Sequence, residues 1–456
     1  MRNWIKERSG RLRRLLRKRG LCWFGSRASD AEPLAYLGEL TGVYCLIAPA
    51  AIQITQECLE DYKGVRVDLD SYDTDEDHST QAMLFKRAFM SGPKRRCVLI
   101  SYRPAAFVDA VRYTKGQDVF YASNHYLCQR AFEHKPWVEK EVRRLGVKTI
   151  EWHYARTMEL LYSLNRHMEK ESWGKAVVRT TFSSGGRGLF LINEKPDHQL
   201  LMQLEERGLV GQQDDLYSFS KFHEGCLPLN VNAIVEEGGE TAVYPPSVQL
   251  IGLECCTSRS FGFCGSDFYA AKRLDEDLLV EIWNVTRKIG RWMHSYGYRG
   301  IFGVDFILTE ADGLLFAEVN PRFQSSTPLL ENLNIYDILS NIYVEHLGAF
   351  LGMPAWQQRM EEFLEASTQH EGTSQIAVYN RFGIPLKLTT EQKRRQTPSL
   401  QAEYLPRPGI TVEPEGMLFK IYLEESVTKD GHTLKGRLAK KINDLIYYWF
   451  AIKDRY

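Results

Sequence analysis

The chain has 456 residues, with 58 Lys and Arg balancing 58 Asp and Glu, and 44% of it is hydrophobic. One domain per ~150 residues implies about three lobes. The even charge excludes a wholesale nucleic-acid coat and a solvating acidic chain. Nine cysteines, with no C-x-x-C pair, read as reduced thiols of a cytosolic protein and exclude a disulfide scaffold or zinc ribbon. No apolar run reaches the ~18 residues of a membrane span, and the basic start lacks the apolar core of a secretory leader.

The first twenty residues carry nine Lys or Arg against one Glu. Trp4, Leu12, Leu15 and Leu16 would suit a basic amphipathic helix meeting an acidic surface or membrane. The plainer and preferred reading of these twenty residues is a frayed, solvated stretch within a basic N-terminal arm over 1–35, the folded region beginning at Trp23–Asp30. Across 36–130, strands at Val43–Ile47, Val65–Leu69, Cys97–Ser101 and Val119–Tyr121 alternate with helices at Ala82–Phe89 and Ala105–Tyr113. That alternation implies a small α/β layer with a parallel sheet. Asp73–Asp77 reads as a solvated loop. A helix follows at Pro136–Leu145, then strand and hairpin character over 176–254, a helix at Asp275–Tyr296, and a hairpin closed by Asn320. The region 351–456 ends in a helix near Leu434–Ile452, whose Tyr447–Phe450 aromatics suit a core or dimer contact better than a membrane anchor.

The most informative stretch is 297–322, GYRGIFGVDFILTEADGLLFAEVNPR. A two-residue turn at Ala311-Asp312 would set Asp305 opposite Glu318 and Gly303 opposite Asn320. Period-two alternation then puts Asp305, Glu318 and Asn320 on one face and Val304, Phe306, Ala317 and Val319 on the other. Opposed carboxylates repel unless neutralised. A hard divalent cation, Mg²⁺ or Mn²⁺, would do so with oxygen ligands. The strand from Val177 to Arg179 runs into Ser183-Ser184-Gly185-Gly186-Arg187-Gly188, a loop able to bring backbone N–H groups to phosphate, although it is neither a Walker A loop nor a dinucleotide fingerprint. Lys135 stands ahead of a helix, and Tyr217–Gly225 (YSFSKFHEG) alternates as a strand. His125, His134, His153 and His167 form no H-x-x-x-H pair and have no Cys spacing suggestive of zinc.

In this order the pieces resemble the ATP-grasp superfamily over roughly Lys135–Asn334, with a pre-ATP-grasp domain ahead. The resemblance implies a pre-ATP-grasp α/β domain over 36–130, an α+β ATP-grasp domain of two lobes over 131–350 with a lid lobe at about 151–215, and a small C-terminal region over 351–456. It implies that Asp305, Glu318 and Asn320 hold Mg²⁺ and that Lys135 and Arg179 contact ATP phosphates. Ser183, Ser184, Gly185, Gly186 and Gly188 would form the lid, Lys221 and His223 would meet adenine through backbone groups, and Arg322 would face the transferred phosphoryl group. Two positions depart from the pattern: Arg179 stands where the family usually has Lys, and Ser220 where a Glu often binds the adenine amine. The implied activity is an ATP- and Mg²⁺-dependent carboxylate–amine ligase acting on small acids and amines, without nucleic acid and in the cytoplasm. An ATP-grasp kinase and a non-catalytic nucleotide-binding module remain alternatives, and a homodimer stays open. For the substrate side the candidates are Arg27, Arg259, Asp267 and Gln324–Thr327.

Overall fold

The structure, a computed structural model, describes residues 2–17, 19–37, 40–48, 56–69, 82–84, 96–114, 118–193, 198–206, 216–389, 399–450 and 452. The expected loop at Asp73–Asp77 and most of the expected helix at Ala82–Phe89 lie outside them.

The chain opens with a five-stranded parallel sheet in the order Gln56–Cys58, Leu40–Ile47, Gly20–Arg27, Cys97–Ser101, Val119–Tyr121. Its central strand alternates so that Leu21 and Trp23 enter one core while Cys22 and Phe24 enter another, which is why both faces read as apolar. That strand, Gly20–Arg27, begins the folded region a few residues before the expected Trp23. The arm itself is a helix, Arg2–Leu16, with Leu12 and Leu16 fully buried. Arg8 anchors it: Nε donates to Glu345 Oε1 at 2.8 Å and Nη1 to the Pro354 carbonyl at 2.5 Å, with Glu236 4.0 Å from Nη2. Buried Glu345 and Glu236, with no other cation paired to them among the described residues, hold this helix down, a constraint that charge counting along the sequence does not reveal.

Val65–Arg66 also departs from expectation. It leaves the parallel sheet and pairs with Thr411–Val412 in a separate three-stranded sheet. The Arg66 guanidinium binds Glu60 at 2.7 and 3.0 Å and the carbonyls of Tyr404 and Met417 at 2.8 and 3.2 Å.

The second lobe is a four-stranded antiparallel sheet in the order His153–Arg156, Leu216–Lys221, Ala176–Thr180, Leu189–Ile192, with helix Thr157–Lys170 packed on it. The largest sheet has eight strands. Its path runs Gly313–Asn320, Gly300–Thr309, Leu227–Val235, Ser247–Ile251, Phe263–Asp267, Ser374–Tyr379, Met417–Leu423, with Thr241–Val243 beside Leu227–Val235. The last two strands on the path come from the C-terminal region, so that region continues the large sheet and covers the edge Phe263–Asp267 would otherwise expose. Helix Glu276–Ser295, N-capped by Asp275 on Leu278 N at 2.8 Å, buries Leu279, Ile282, Ile289 and Met293 against this sheet. At the C-terminus, helix Leu438–Trp449 leaves Tyr447 exposed while Phe450 is core.

Burial, then the nearby Glu345 charge, pushes Glu236 up to about 9, against about 4.3 in an unfolded chain. Between those values the folded state keeps a proton that the unfolded state has released, so stability falls as pH rises from about 4.3 towards 9. Glu236→Gln should flatten that part of the curve in thermal melts across pH; an unchanged slope would show that another group sets it.

Candidate functional site

The hairpin register reaches the expected pairing by a different route. Thr309 pairs with Gly313, Leu308 with Leu314 and Phe306 with Phe316, so the turn holds three residues and not two. A bulge between Asp305 and Phe306 on one strand and across Ala317 on the other restores the offset, and Asp305 faces Glu318 and Gly303 faces Asn320. The extra residue has a cost to the expected alternation. Ala317, expected on the apolar reverse face, lines the cleft together with Glu318 and Asn320, whereas Val304, Phe306, Phe316 and Val319 fill the core behind.

Asp305 is held by amides on both oxygens. Oδ1 accepts from Asn230 Nδ2 at 2.6 Å and Gln249 Nε2 at 3.2 Å, and Oδ2 accepts from Asn320 Nδ2 at 2.9 Å. Burial and the Glu318 charge nevertheless push it up to about 7, because three neutral donors do not replace a cation. The amide network continues: Asn230 also donates to Gln324 Oε1 at 2.6 Å, Gln324 Nε2 to Asn232 Oδ1 at 3.0 Å, and Ser326 Oγ to Asn230 Oδ1 at 2.7 Å. Gln324 lies so close over Gly303 that an added Cβ would sit 1.8 Å from its Nε2. Two opposed carboxylates beside an amide side chain are hard oxygen donors, and their mutual repulsion is what a divalent cation relieves.

Cations border the pair. Lys135 Nζ is 3.5 Å from Glu318 Oε2 and donates to the Ser183 carbonyl at 2.5 Å. Burial lowers its pKa, with Glu318 opposing. Arg179, 3% exposed, donates to the Ala317 carbonyl at 3.3 Å, lies 3.7 Å from Glu139 and packs 3.9 Å over the Trp152 ring. Arg322 Nη1 and Arg27 Nη2 both donate to the Tyr102 hydroxyl, at 3.0 and 3.2 Å, and Arg27 Nε pairs with Asp30 at 3.1 Å.

Arg27, Tyr102, Arg179, Arg322, Asp305, Glu318 and Asn320 line one end of a cavity of about 260 Å³. Its other end is apolar, formed by Ile150, Trp152, Val177, Phe222 and Ile307, and bordered by Lys221 and His223. Burial, aided by Lys221, lowers the His223 pKa. The cavity thus combines apolar and charged linings, the two kinds of surface a nucleotide presents. Gly185 and Gly186 line it. Ser183 and Ser184 turn instead to a small adjoining pocket with Lys135, Glu318 and Arg322. Gly188 packs inward, where a Cβ would meet Thr180 Oγ1 at 2.2 Å.

Among the substrate-side candidates, Asp267 and Arg259 lie away from the cavity. Asp267 caps a short helix through Ala270 N at 2.7 Å and accepts from Val427 N at 2.7 Å, a buried structural carboxylate. Arg259 pairs with Asp68 and lies 3.5 Å from Glu415, tying the loop at 258–262 to other lobes. Gln324, Ser325 and Ser326 do line the cavity, while Thr327 donates to Asn232 at 2.7 Å. Sequence reasoning missed Asn230, Asn232, Gln249 and Tyr102. The two asparagines at alternate positions of the apolar run LPLNVNAIV were the available signal, since a buried strand tolerates them only when their amides are bonded.

Residues 163–326 match the ATP-grasp domain family. The formate-dependent phosphoribosylglycinamide formyltransferases of Bacteroides fragilis and Bacteroides thetaiotaomicron are each 25% identical, over 218 and 222 residues, or 46% of this chain. The match spans half the length of those relatives. Among solved structures, an ATP complex of carboxyaminoimidazole ribonucleotide synthase from Aspergillus clavatus aligns at a TM-score of 0.57 and 15% identity, covering 94% of this chain and 98% of that one. A biotin carboxylase from Campylobacter jejuni aligns at 0.57 and 12%, covering 91% and 84%. At these identities the likeness to the solved structures establishes the fold.

Gly186 has φ +76°, and a Cβ there would fall 1.8 Å from the Phe261 carbonyl oxygen. Gly186→Ala must displace the loop, at a strain of about 1–3 kcal/mol, and should weaken ATP binding about tenfold by titration calorimetry. Gly146→Ala is the control: its φ is +74° but nothing lies within 4 Å, so affinity should hold.

Proposed function

We propose that this chain, which carries an ATP-grasp domain over residues 163–326 in an ATP-grasp fold, is an ATP- and Mg²⁺-dependent ligase that activates a small carboxylic acid and joins it to an amine. The observation that carries the reading is the opposed Asp305–Glu318 pair at the charged end of a cavity whose far end is apolar.

In this reading adenine takes the apolar end between Trp152, Phe222 and Ile307, with Lys221 and His223 beside it. Asp305, Glu318 and Asn320 would hold Mg²⁺ or Mn²⁺, which would supply charge neutralisation for the nucleotide's phosphates. Lys135 and Arg179 bind phosphate oxygens, and Arg322 offsets charge as the γ-phosphoryl passes to the acid's carboxylate. The carboxylate oxygen attacks phosphorus, ADP leaves, and the amine then displaces phosphate from the acyl carbon. The loop carrying Gly185 and Gly186 screens the acyl phosphate from water. Tyr102, fixed by Arg27 and Arg322, marks the side on which the acid lies. A cytosolic setting accords with nine free thiols, and among the described residues no helix is long and apolar enough to cross a membrane.

Incubation with Mg-ATP, hydroxylamine and a panel of carboxylic acids tests the reading. ADP with matching hydroxamate supports carboxylate activation and names the acid; substrate-dependent ADP without hydroxamate would favour a kinase. Asp305→Asn and Glu318→Gln should each lower turnover by about a hundredfold, and chelation of the metal should abolish it. Full turnover in both variants would remove the metal assignment.

A further inference from the structure

Outside the cleft, the lobe built on strand His153–Arg156 and helix Thr157–Lys170 gathers a second set of metal-ligand side chains. A nitrogen of His153, a nitrogen of His167 and a carboxylate oxygen of Glu171 all lie within 4.8 Å of one another. We propose that these three residues form a binding site for a borderline divalent transition metal, with Zn²⁺ as its natural probe.

The His167 tautomer is already set for ligation. His167 Nδ1 lies 2.8 Å from the Ser163 carbonyl oxygen. A carbonyl only accepts, so Nδ1 carries the proton and Nε2 keeps its lone pair, the arrangement in which a ligating imidazole is held through its other nitrogen. His153 Nε2 is buried and has no hydrogen-bond partner among the described residues. Its ring stands 4.2 Å from that of His167, flanked by Phe219 at 5.5 Å and Trp173 at 5.7 Å. Aromatic packing accounts for the ring faces but leaves the buried nitrogen without a partner, at a desolvation cost a metal bond removes.

Two imidazoles and a carboxylate suit Zn²⁺, Co²⁺ or Ni²⁺ and disfavour Mg²⁺, and three protein ligands leave a fourth position for water. Zn–N bonds of about 2.0–2.1 Å require the donors to draw slightly closer, which exposed Glu171, just past the helix end, can supply by rotation. None of the three residues lines the ATP-sized cavity. Trp152, the residue just before this strand, does, so neighbours in the chain serve opposite faces of the lid sheet. An ion here would cross-link strand and helix and stiffen the lobe that closes over the cavity.

The test uses the full chain, stripped of metal and titrated with Zn²⁺ against a chromophoric chelator, and separately with Co²⁺. One equivalent should bind with an absorption spectrum of nitrogen and oxygen ligation, and Glu171→Gln and His167→Gln should each weaken it at least about tenfold. Asp305→Asn should leave it unchanged, which separates this site from the cleft. Glu171 is exposed, so its variant keeps the fold even if His167→Gln does not. Unaltered affinity in Glu171→Gln, or a cobalt spectrum dominated by thiolate charge transfer, would overturn the proposal.

Discussion

Placing Asp305 and Glu318 opposite each other on an antiparallel pair, with Asp305 half-buried, sets a demand that the surrounding structure answers in several ways. Asn230, Gln249 and Asn320 donate amide protons to Asp305, and Lys135 stands beside Glu318. The donors come from three strands of one sheet, so the sheet's pairing order is what makes the site. The bulge at Ala317 belongs to the same demand. It turns two consecutive residues of the strand towards the cleft and still leaves Val319 and Phe316 in the core.

The lobes around this sheet are joined by buried guanidinium groups. Arg8 fixes the N-terminal helix to Glu345 and the Pro354 carbonyl, and Arg66 fixes the first lobe to the C-terminal segment through Glu60 and two carbonyls. Each planar fork saturates several acceptors at once, which favours Arg over Lys at such junctions. Removing one partner of a buried pair leaves an uncompensated charge, typically a loss of about 3–5 kcal/mol. These joints keep Arg27 and Tyr102 of the first lobe in register with Arg322 of the large sheet.

The four-stranded lobe carries two unlike surfaces on one thin sheet. Trp152, Val177 and Ser220 face the cavity, while His153, Val178 and Phe219 face the helix behind. The period of two in an extended strand makes that division automatic. Whatever binds behind the sheet is therefore one residue away, along the chain, from whatever binds in front.

Much of the architecture was legible because it rests on local periodicity: the parallel strands at Val43–Ile47 and Cys97–Ser101, the capped helix Glu276–Ser295, and the hairpin that opposes Asp305 to Glu318. The cluster Lys135, Arg179, Asp305, Glu318, Asn320 and Arg322 was also legible, through its order along the chain. Tertiary structure alone decided the rest. A basic segment that reads as solvated became a buried helix because Glu345 and Glu236 lie 337 and 228 residues further along, out of reach of any window. Val65–Arg66 joined a C-terminal strand, Asp267 became a cap, and Asn230 and Gln324 met across 94 residues. His153 and His167, with no ligand spacing in the sequence, stack because a strand and the following helix fold back on each other. Periodicity and motif order are properties of neighbours in the chain, whereas desolvated charge and hydrogen-bond satisfaction depend on neighbours in space, and these only the folded chain supplies.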